Sequence, residues 1–120
     1  MPFSKLSGRR LIAALAGAAF AAALATQAAA SSSQAGTISA ILPLRHGVVL
    51  FNHSGSRTAT PACHTIPGRW AIDASTTAGQ AALSVLMSAY LSGKQIAVLG
   101  QGNCSSHSDT EAVEHFVIVD

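Results

Sequence analysis

The first thirty residues restrict how much of this chain can form a folded domain. Lys5, Arg9 and Arg10 precede an uninterrupted small and apolar run over residues 11–25, and the segment contains no acidic residue. A basic start followed by a short apolar run is typical of a secretory signal peptide. The run is too short and too rich in alanine to be a comfortable membrane span. The N-terminal segment is therefore predicted to direct export and then to be removed.

The small residues at the end of this segment predict where it is removed. Ala30 ends a run of three alanines of the kind that a signal peptidase accepts. We expect cleavage after Ala30, with cleavage after Ala25 as the alternative. Residues 1–30 are then the signal peptide, and residues 31–120 form a single secreted or periplasmic domain. The paired arginines fit an ordinary secretory signal as well as a twin-arginine signal, so the export route stays open.

The charge of the exported part differs from that of the whole chain. The full chain has a formal net charge of +2, but the leader contains three of the basic residues and none of the acidic ones. Residues 31–120 keep four basic residues against five acidic ones. Nucleic acid and anionic membrane surfaces are therefore not expected as partners.

Cys63 and Cys104 are the only cysteines, and both lie in the exported part. An even pair in a small exported protein indicates a disulfide. On the chain-entropy estimate, the bond would stabilise the domain by about 3–4 kcal/mol. The alternative is a metal site in which both thiolates bind together with histidines.

Apolar runs and turn residues predict the order of the strands. Residues 31–36 are serine-rich and are expected to be a frayed terminus. The stretch 57–68 contains two prolines and is expected to be a loop or an irregular edge strand. Five strands are predicted, at residues 37–44, 47–51, 69–73, 95–99 and 115–119.

One helix is predicted between the third and fourth strands, over residues 77–93. Thr77 and Gln80 match a capping box, and Gly93 stands where a left-handed glycine ends a helix. Apolar residues recur with helical spacing and predict one buried stripe, formed by Leu83, Leu86, Met87, Tyr90 and Leu91. Smaller residues on another face would let a second helix approach closely, and they are the candidate self-association face: Ala81, Ser84, Val85 and Ser88.

Three strands, a helix and two strands is the element order of an OB-fold, a five-stranded and partly open barrel. An unclosed α+β sandwich has the same elements. We expect the barrel, because a single amphipathic helix fits well beneath a small barrel. The predicted fold is mainly β, with one helix and one disulfide.

The run from Trp70 through Tyr90-Leu91-Ser92-Gly93-Lys94 to Cys104 resembles a set of small exported bacterial proteins. They are related to the pentamer-forming binding subunits of AB5 toxins, in particular the subtilase-cytotoxin type. The resemblance covers roughly the second half of the exported part. It implies an OB-fold, assembly into a ring and binding of sialylated or related cell-surface glycans. The glycan-contacting strand of that family does not align with residues 46–60, so no binding residue is carried over.

The exported part contains five histidines, which could carry other chemistry: His46, His53, His64, His107 and His115. Histidine is the commonest metal ligand, but these five lack the short spacings of a strong site. Most of them are expected in or beside loops, as solvated side chains. A metal- or small-ligand-binding protein is therefore the alternative function, and no metal or other cofactor is assigned.

Recognisable catalytic motifs are missing from the exported sequence. There is no Gly-x-Ser-x-Gly elbow, and neither glycine-rich stretch precedes a helix with the lysine of a phosphate loop. A triad that used Asp109 with His107 or His115 would need a chance arrangement. Trp70 could stack on a sugar, but a core position is favoured for it. We therefore expect a non-enzymatic exported binding protein that forms oligomers through its helix.

Overall fold

Two antiparallel three-stranded sheets and one helix make up the part of the chain that the computed structural model describes, residues 30–120. In chain order the elements are β1 (Ser32–Gly36), β2 (Ile38–Pro43), β3 (Val48–His53), β4 (Arg69–Asp73), α1 (Thr77–Leu91), β5 (Gln95–Gly100) and β6 (Val113–Val119). One sheet has the strand order β1-β5-β6 and the other β2-β3-β4. The domain is mainly β, as predicted. Of the predicted signal peptide, only Ala30 lies within the described residues.

The backbone connects the two sheets at two places. β1 and β2 are separated only by Thr37, so the chain passes from one sheet into the other without a loop. On the opposite side, Ala71 of β4 forms a parallel bridge with Ala112, just before β6. The Ala71 amide donates to the carbonyl of Glu111 at 3.2 Å. The two sheets are therefore joined through the backbone at two separate places.

The strand order agrees with the sequence-based prediction, with one strand added at the start. The prediction of a frayed terminus over residues 31–36 is wrong, because β1 lies there. β1 pairs with β5 on one side, and on the other side the Thr58 amide donates to the carbonyl of Ser32 at 2.9 Å. These bonds are made by the backbone, so a serine-rich composition does not reveal them.

Both sheets and the helix contribute to one hydrophobic core. Its fully buried members include Phe51 of β3, Trp70 of β4, Leu86 of α1 and Ile96 of β5. Trp70 is therefore a core residue, as the sequence favoured, and its ring has no exposed face on which a sugar could stack.

The start of the helix differs from the prediction by one residue. Thr76 is the N-cap, and its side-chain oxygen accepts a hydrogen bond from the Gly79 amide at 2.9 Å. The capping box predicted at Thr77 is therefore wrong. The helix start packs closely against the end of β4, since a side chain at Gly79 would run into the carbonyl of Asp73. The helix therefore begins at a Thr76 cap, and glycine at position 79 allows the close approach of the Asp73 carbonyl.

The end of the helix confirms the prediction at Gly93, which has a φ of +70°. The Gly93 amide donates to the carbonyl of Tyr90 at 3.3 Å, and the Lys94 amide donates to that of Ala89 at 2.9 Å. This pair of bonds is a Schellman motif, which needs a left-handed residue after the C-cap.

The buried face of α1 is rotated from the predicted stripe. Leu86 and Ala89 are fully buried, and Leu83 and Met87 are partly buried. The prediction that Tyr90 and Leu91 are core residues is wrong, since their exposed fractions are 47 % and 77 %. The small side chains of Ala82 and Ala89 let the helix lie close to the sheets, and the larger residues near its end then point away from them.

Cys63 and Cys104 form the predicted disulfide. It joins the β3–β4 loop (residues 54–68) to the β5–β6 loop (residues 101–112). The side chain of Arg69 adds a second connection, because it pairs with Asp109 and donates to the Thr110 hydroxyl at 2.8 Å. Both long loops are therefore fixed against each other at one end of the domain.

Two alanine substitutions test the orientation of the helix. We expect Leu86→Ala to lower the free energy of unfolding by about 2–5 kcal/mol, because it removes a fully buried side chain. Leu91→Ala makes the same chemical change at an exposed position and should cost less than about 0.5 kcal/mol. Urea unfolding of dilute, monomeric protein measures both values. Equal losses would contradict the orientation described here.

Candidate functional site

A buried carboxylate joins Ser31, which precedes β1, to the two long loops. The Glu111 side chain is fully buried. Its Oε1 accepts from Nη2 of Arg57 at 3.0 Å and from the hydroxyl of Ser31. Its Oε2 accepts from the amides of Gly102 at 2.9 Å and Ser31 at 3.1 Å. A carboxylate offers about four lone-pair positions, so these donors fill them. We call Ser31, Arg57, His64, Trp70 and Glu111 the Glu111 cluster.

Arg57 is held on several sides within this cluster. Its guanidinium carbon lies 3.6 Å from the centroid of the Trp70 ring, close enough for a cation–π contact. Its Nε donates to the Ser31 hydroxyl at 3.0 Å, and its Nη1 donates to the carbonyl of Arg69 at 2.9 Å. The side chain is 9 % exposed. Arg57 therefore neutralises Glu111 inside the domain, and little of its charge is left for an external ligand.

His64 supports Glu111 from the backbone side. The Glu111 amide donates to Nδ1 of His64 at 2.9 Å, so the neutral ring carries its proton on Nε2. Nε2 lies 3.3 Å from Nη1 of Arg57, and two N–H groups at this distance cannot bond to each other. Burial and the positive charge of Arg57 lower the pKa of His64. The ring is therefore neutral near pH 7.

Two opposing effects set the ionisation of Glu111. Burial by itself raises the pKa of this carboxyl group, but the hydrogen bonds from Ser31, Gly102 and Arg57 outweigh it and hold the pKa below its usual range. Glu111 is therefore ionised at neutral pH and forms a buried ion pair with Arg57. Loss of either partner would leave an uncompensated buried charge.

The Glu111 cluster contains a hydroxyl, a carboxylate and an imidazole, which are the groups of nucleophilic catalysis. Ser31 and Glu111 have no exposed surface, however, and both nitrogens of His64 face cluster partners. A substrate has no access to the Ser31 hydroxyl in this arrangement. The cluster acts as a structural centre of the domain.

His53 is a second structural histidine. Its Nδ1 lies 2.9 Å from the hydroxyl of Ser33, and its Nε2 lies 2.7 Å from the carbonyl of Ile96. The ring thus connects β1, β3 and β5. The expectation that the histidines are mostly solvated is wrong for His53 and His64, which are both buried. Their partners come from distant strands and loops, so the flanking turn residues gave no sign of burial.

The other three histidines lie at or near the surface. His46 and His115 are exposed, and Nδ1 of His107 lies 3.1 Å from a carboxylate oxygen of Asp109. That oxygen accepts hydrogen bonds from Arg69 and Thr110. Within residues 30–120, no group of three or more His, Cys, Asp or Glu side chains is placed to hold a metal ion.

A cleft of about 250 Å³ opens beside the start of α1, and we call it the helix-end cleft. It lies between the end of β4, the first turns of α1 and the β5–β6 loop. Its described lining residues include no lysine or arginine. The polar groups are the side chains of Asp73, Thr76, Gln101, Ser106 and Glu114, and the apolar ones include Ile72 and Val113. Hydrogen bonds from Ser75 lower the pKa of Asp73, so the cleft carries negative charge.

A shallower cleft of about 340 Å³ lies on the β3–β4 loop above Arg57 and His64. Its rim consists largely of threonine and proline side chains from residues 58–67. Because Glu111 already pairs with Arg57, this cleft offers weak attraction to an anionic ligand.

The predicted self-association residues Ala81, Ser84, Val85 and Ser88 are all exposed in the single chain. Leu91 lies on the same side, at the spacing i, i+3, i+4, i+7 and i+10 from Ala81, and we call these five residues the outward helix face. The hydroxyls of Ser84 and Ser88 each donate to the carbonyl four residues earlier, at 3.0 Å. Both serine hydroxyls of this face would therefore keep their hydrogen-bond acceptors if another protein surface covered them.

An apolar groove of about 580 Å³ runs beside the outward helix face, between β2 and α1. Ile41 and Pro43 form one wall, and Leu83, Met87 and Tyr90 form the other. Together with the outward helix face it makes this side of the domain largely uncharged.

No helix within residues 30–120 combines the length and apolar character needed to cross a membrane. Comparisons of the chain with protein-family models, curated proteins and solved structures found no match.

The sequence analysis did not predict the Glu111 cluster. Its members Ser31, Arg57 and Glu111 are far apart in the sequence and belong to no periodic pattern or motif. Only the fold brings them together.

The stability of the domain is expected to fall in two stages on acidification. Folding lowers the pKa of His64, so below its ordinary value of about 6.5 the unfolded chain takes up a proton that the folded chain does not. Folding also lowers the pKa of Glu111. Its contribution is complete above the ordinary value of about 4.3 and is lost as the pH falls through the folded pKa. Urea unfolding at a series of pH values measures both stages.

Two glutamine variants test whether His64 causes the upper stage of the pH dependence. His64→Gln keeps an acceptor for the Glu111 amide but does not titrate, so it should remove the upper stage. His115→Gln changes an exposed histidine and should leave both stages in place. An unchanged upper stage in His64→Gln would contradict the assignment.

Proposed function

We propose that this chain is an exported, non-enzymatic binding protein with a closed OB-like barrel, which self-associates through its helix and binds a glycan. The observation that carries the proposal is the outward helix face. This face is exposed and uncharged, and its serine hydroxyls already donate to backbone carbonyls of the helix. The resemblance to toxin binding subunits agrees with this proposal but is a separate argument.

The pairing of the strands supports the barrel. If β1 and β2 are counted as one bent strand, it pairs with β5 and with β3. β3 pairs with β4, and β5 pairs with β6. The bridge between Ala71 and Ala112 then connects β4 to the start of β6. Each of the five strands has two neighbours on this count, as closure requires.

The exposed apolar surface supports self-association. Val85 and Leu91 are 44 % and 77 % exposed on the outward helix face, and Tyr90 is 47 % exposed at the neighbouring groove. Apolar side chains gathered on one face of a small domain indicate a contact surface. The small residues Ala81, Ser84 and Ser88 would allow close helix packing. A second copy of this chain is the proposed partner, and repetition of the contact would close a ring.

The helix-end cleft is the proposed glycan site. It lies against the β5–β6 loop, which corresponds to a loop that binds oligosaccharides in OB-folds. Asp73, Gln101 and Glu114 supply acceptors for sugar hydroxyls, and Ile72 and Val113 supply an apolar patch for a sugar face. Since its lining includes two carboxylates and no basic residue, the cleft favours a neutral sugar over a sialylated one.

The mass of the exported product in solution tests the assembly. We expect light scattering after size exclusion to give a multiple of the protomer mass, near five protomers for a ring. Val85→Asp places a charge on the outward helix face and should shift the mass to that of one protomer. Val117→Asp makes the same change at an exposed site of β6 and should leave the assembly intact. A monomeric wild type, or dissociation by Val117→Asp alone, would contradict the proposed interface.

A glycan array followed by titration calorimetry tests the cleft. We expect binding of neutral glycans, weakened by about tenfold or more in Glu114→Gln, because the variant loses a charged acceptor. His115→Gln alters the next residue, which does not line the cleft, and should bind normally. A preference for sialylated glycans that Glu114→Gln leaves unchanged would place the site elsewhere.

A further inference from the structure

Ser31 has an unusual environment for a residue at the start of a domain. It is fully buried, whereas the preceding residue, Ala30, is exposed. Its backbone nitrogen lies 3.1 Å from Oε2 of Glu111, and its hydroxyl donates to Oε1 of the same carboxylate. Its carbonyl accepts from the Gly100 amide at 2.8 Å. The backbone nitrogen of Ser31 is therefore directed at a buried negative charge.

Cleavage between Ala30 and Ser31 would change the chemistry of this nitrogen. Hydrolysis adds water across the peptide bond, so Ala30 leaves with a carboxylate and Ser31 keeps an amine that can take up a proton. A neutral amide with one N–H then becomes an ammonium group with three. Charge-assisted hydrogen bonds to a carboxylate are roughly twice as strong as neutral ones.

The surroundings of Glu111 can accommodate this second positive charge. Arg57 is the cationic side chain that contacts the carboxylate, and the neighbouring His64 is neutral when it accepts the Glu111 amide. Gly100 leaves the space that the carboxylate fills, because a side chain there would overlap Glu111 and would come within 2.8 Å of the Trp70 ring. Glu111 is thus held in place beside the nitrogen that cleavage would free.

We propose that Glu111 is the binding site for the amino terminus that signal-peptide removal creates at Ser31, so that processing completes the buried ion cluster. The inference rests on the proposed export and on cleavage after Ala30, and it does not depend on glycan binding or ring formation. The exported chain then folds around a charge that the precursor lacks. Cleavage after Ala25 would leave residues 26–30 attached and would not place an amine at Glu111.

The full-length chain, exported from a bacterial host, provides the test. We expect the intact mass of the product to correspond to residues 31–120. A matched variant carries Ser-Gly inserted between Ala30 and Ser31, so its product also begins with serine, but the amine lies beyond the cluster. Its melting temperature should be lower than that of the wild type by about 4 °C or more.

Periodate provides a second measurement, because it oxidises an amino-terminal serine through its adjacent amine and hydroxyl. The buried Ser31 of the wild type should react at least about tenfold more slowly than the exposed serine of the insertion variant, since reaction requires local opening. In Glu111→Gln, the insertion should no longer lower the melting temperature. If Glu111→Gln does not fold, the oxidation rates of the wild type and the insertion variant test the proposal by themselves.

Three results would overturn the proposal: a product that begins at any other residue or keeps its leader, equal oxidation rates, or equal melting temperatures with and without the insertion. Each of these readouts concerns the terminus alone. A monomeric wild type or an empty glycan array would therefore count against the proposed function and leave this inference standing.

Discussion

The buried charge of Glu111 is the constraint on which the arrangement of the loops depends. A carboxylate without exposed surface must have its lone pairs filled. The donors are Ser31 just before β1, Arg57 on the β3–β4 loop and Gly102 on the β5–β6 loop. Each donor fixes one segment of chain that has little apolar content of its own. A buried ion pair is weak evidence for net stability, but it strongly disfavours arrangements that leave one partner alone. Glu111 therefore contributes mainly to a unique loop structure.

The surfaces proposed for function depend on this centre. The β5–β6 loop is fixed at Gly102 and Glu111 by the cluster, at Cys104 by the disulfide and at Asp109 by Arg69. Because the loop is held at these points, the helix-end cleft has a defined wall. The core uses one side of α1, which leaves the opposite side available for contact with another copy. Core packing thus occupies the interior, the disulfide and the Glu111 cluster fix the two long loops, and the surfaces proposed for binding lie elsewhere on the exterior.

The sequence predicts those parts of the fold that local or apolar patterns encode. β4, the Gly93 helix end and the disulfide are examples, because an apolar strand, a left-handed glycine and a lone cysteine pair each have a physical signature. β1 was missed because backbone bonds to distant segments hold it. The helix stripe was misplaced because its last turn extends beyond the sheets. The Glu111 cluster could not be predicted, since its members meet only through the completed topology.

The fully buried side chain of Glu111 stays ionised because four hydrogen bonds outweigh its loss of water. Carbon-13 NMR of the Glu111 side-chain carboxyl group, recorded through an acid titration of residues 31–120, measures this directly. We expect Glu111 to titrate below the ordinary glutamate value of about 4.3. A Glu111 carboxyl group that takes up its proton above that value would show that the four hydrogen bonds do not outweigh its burial.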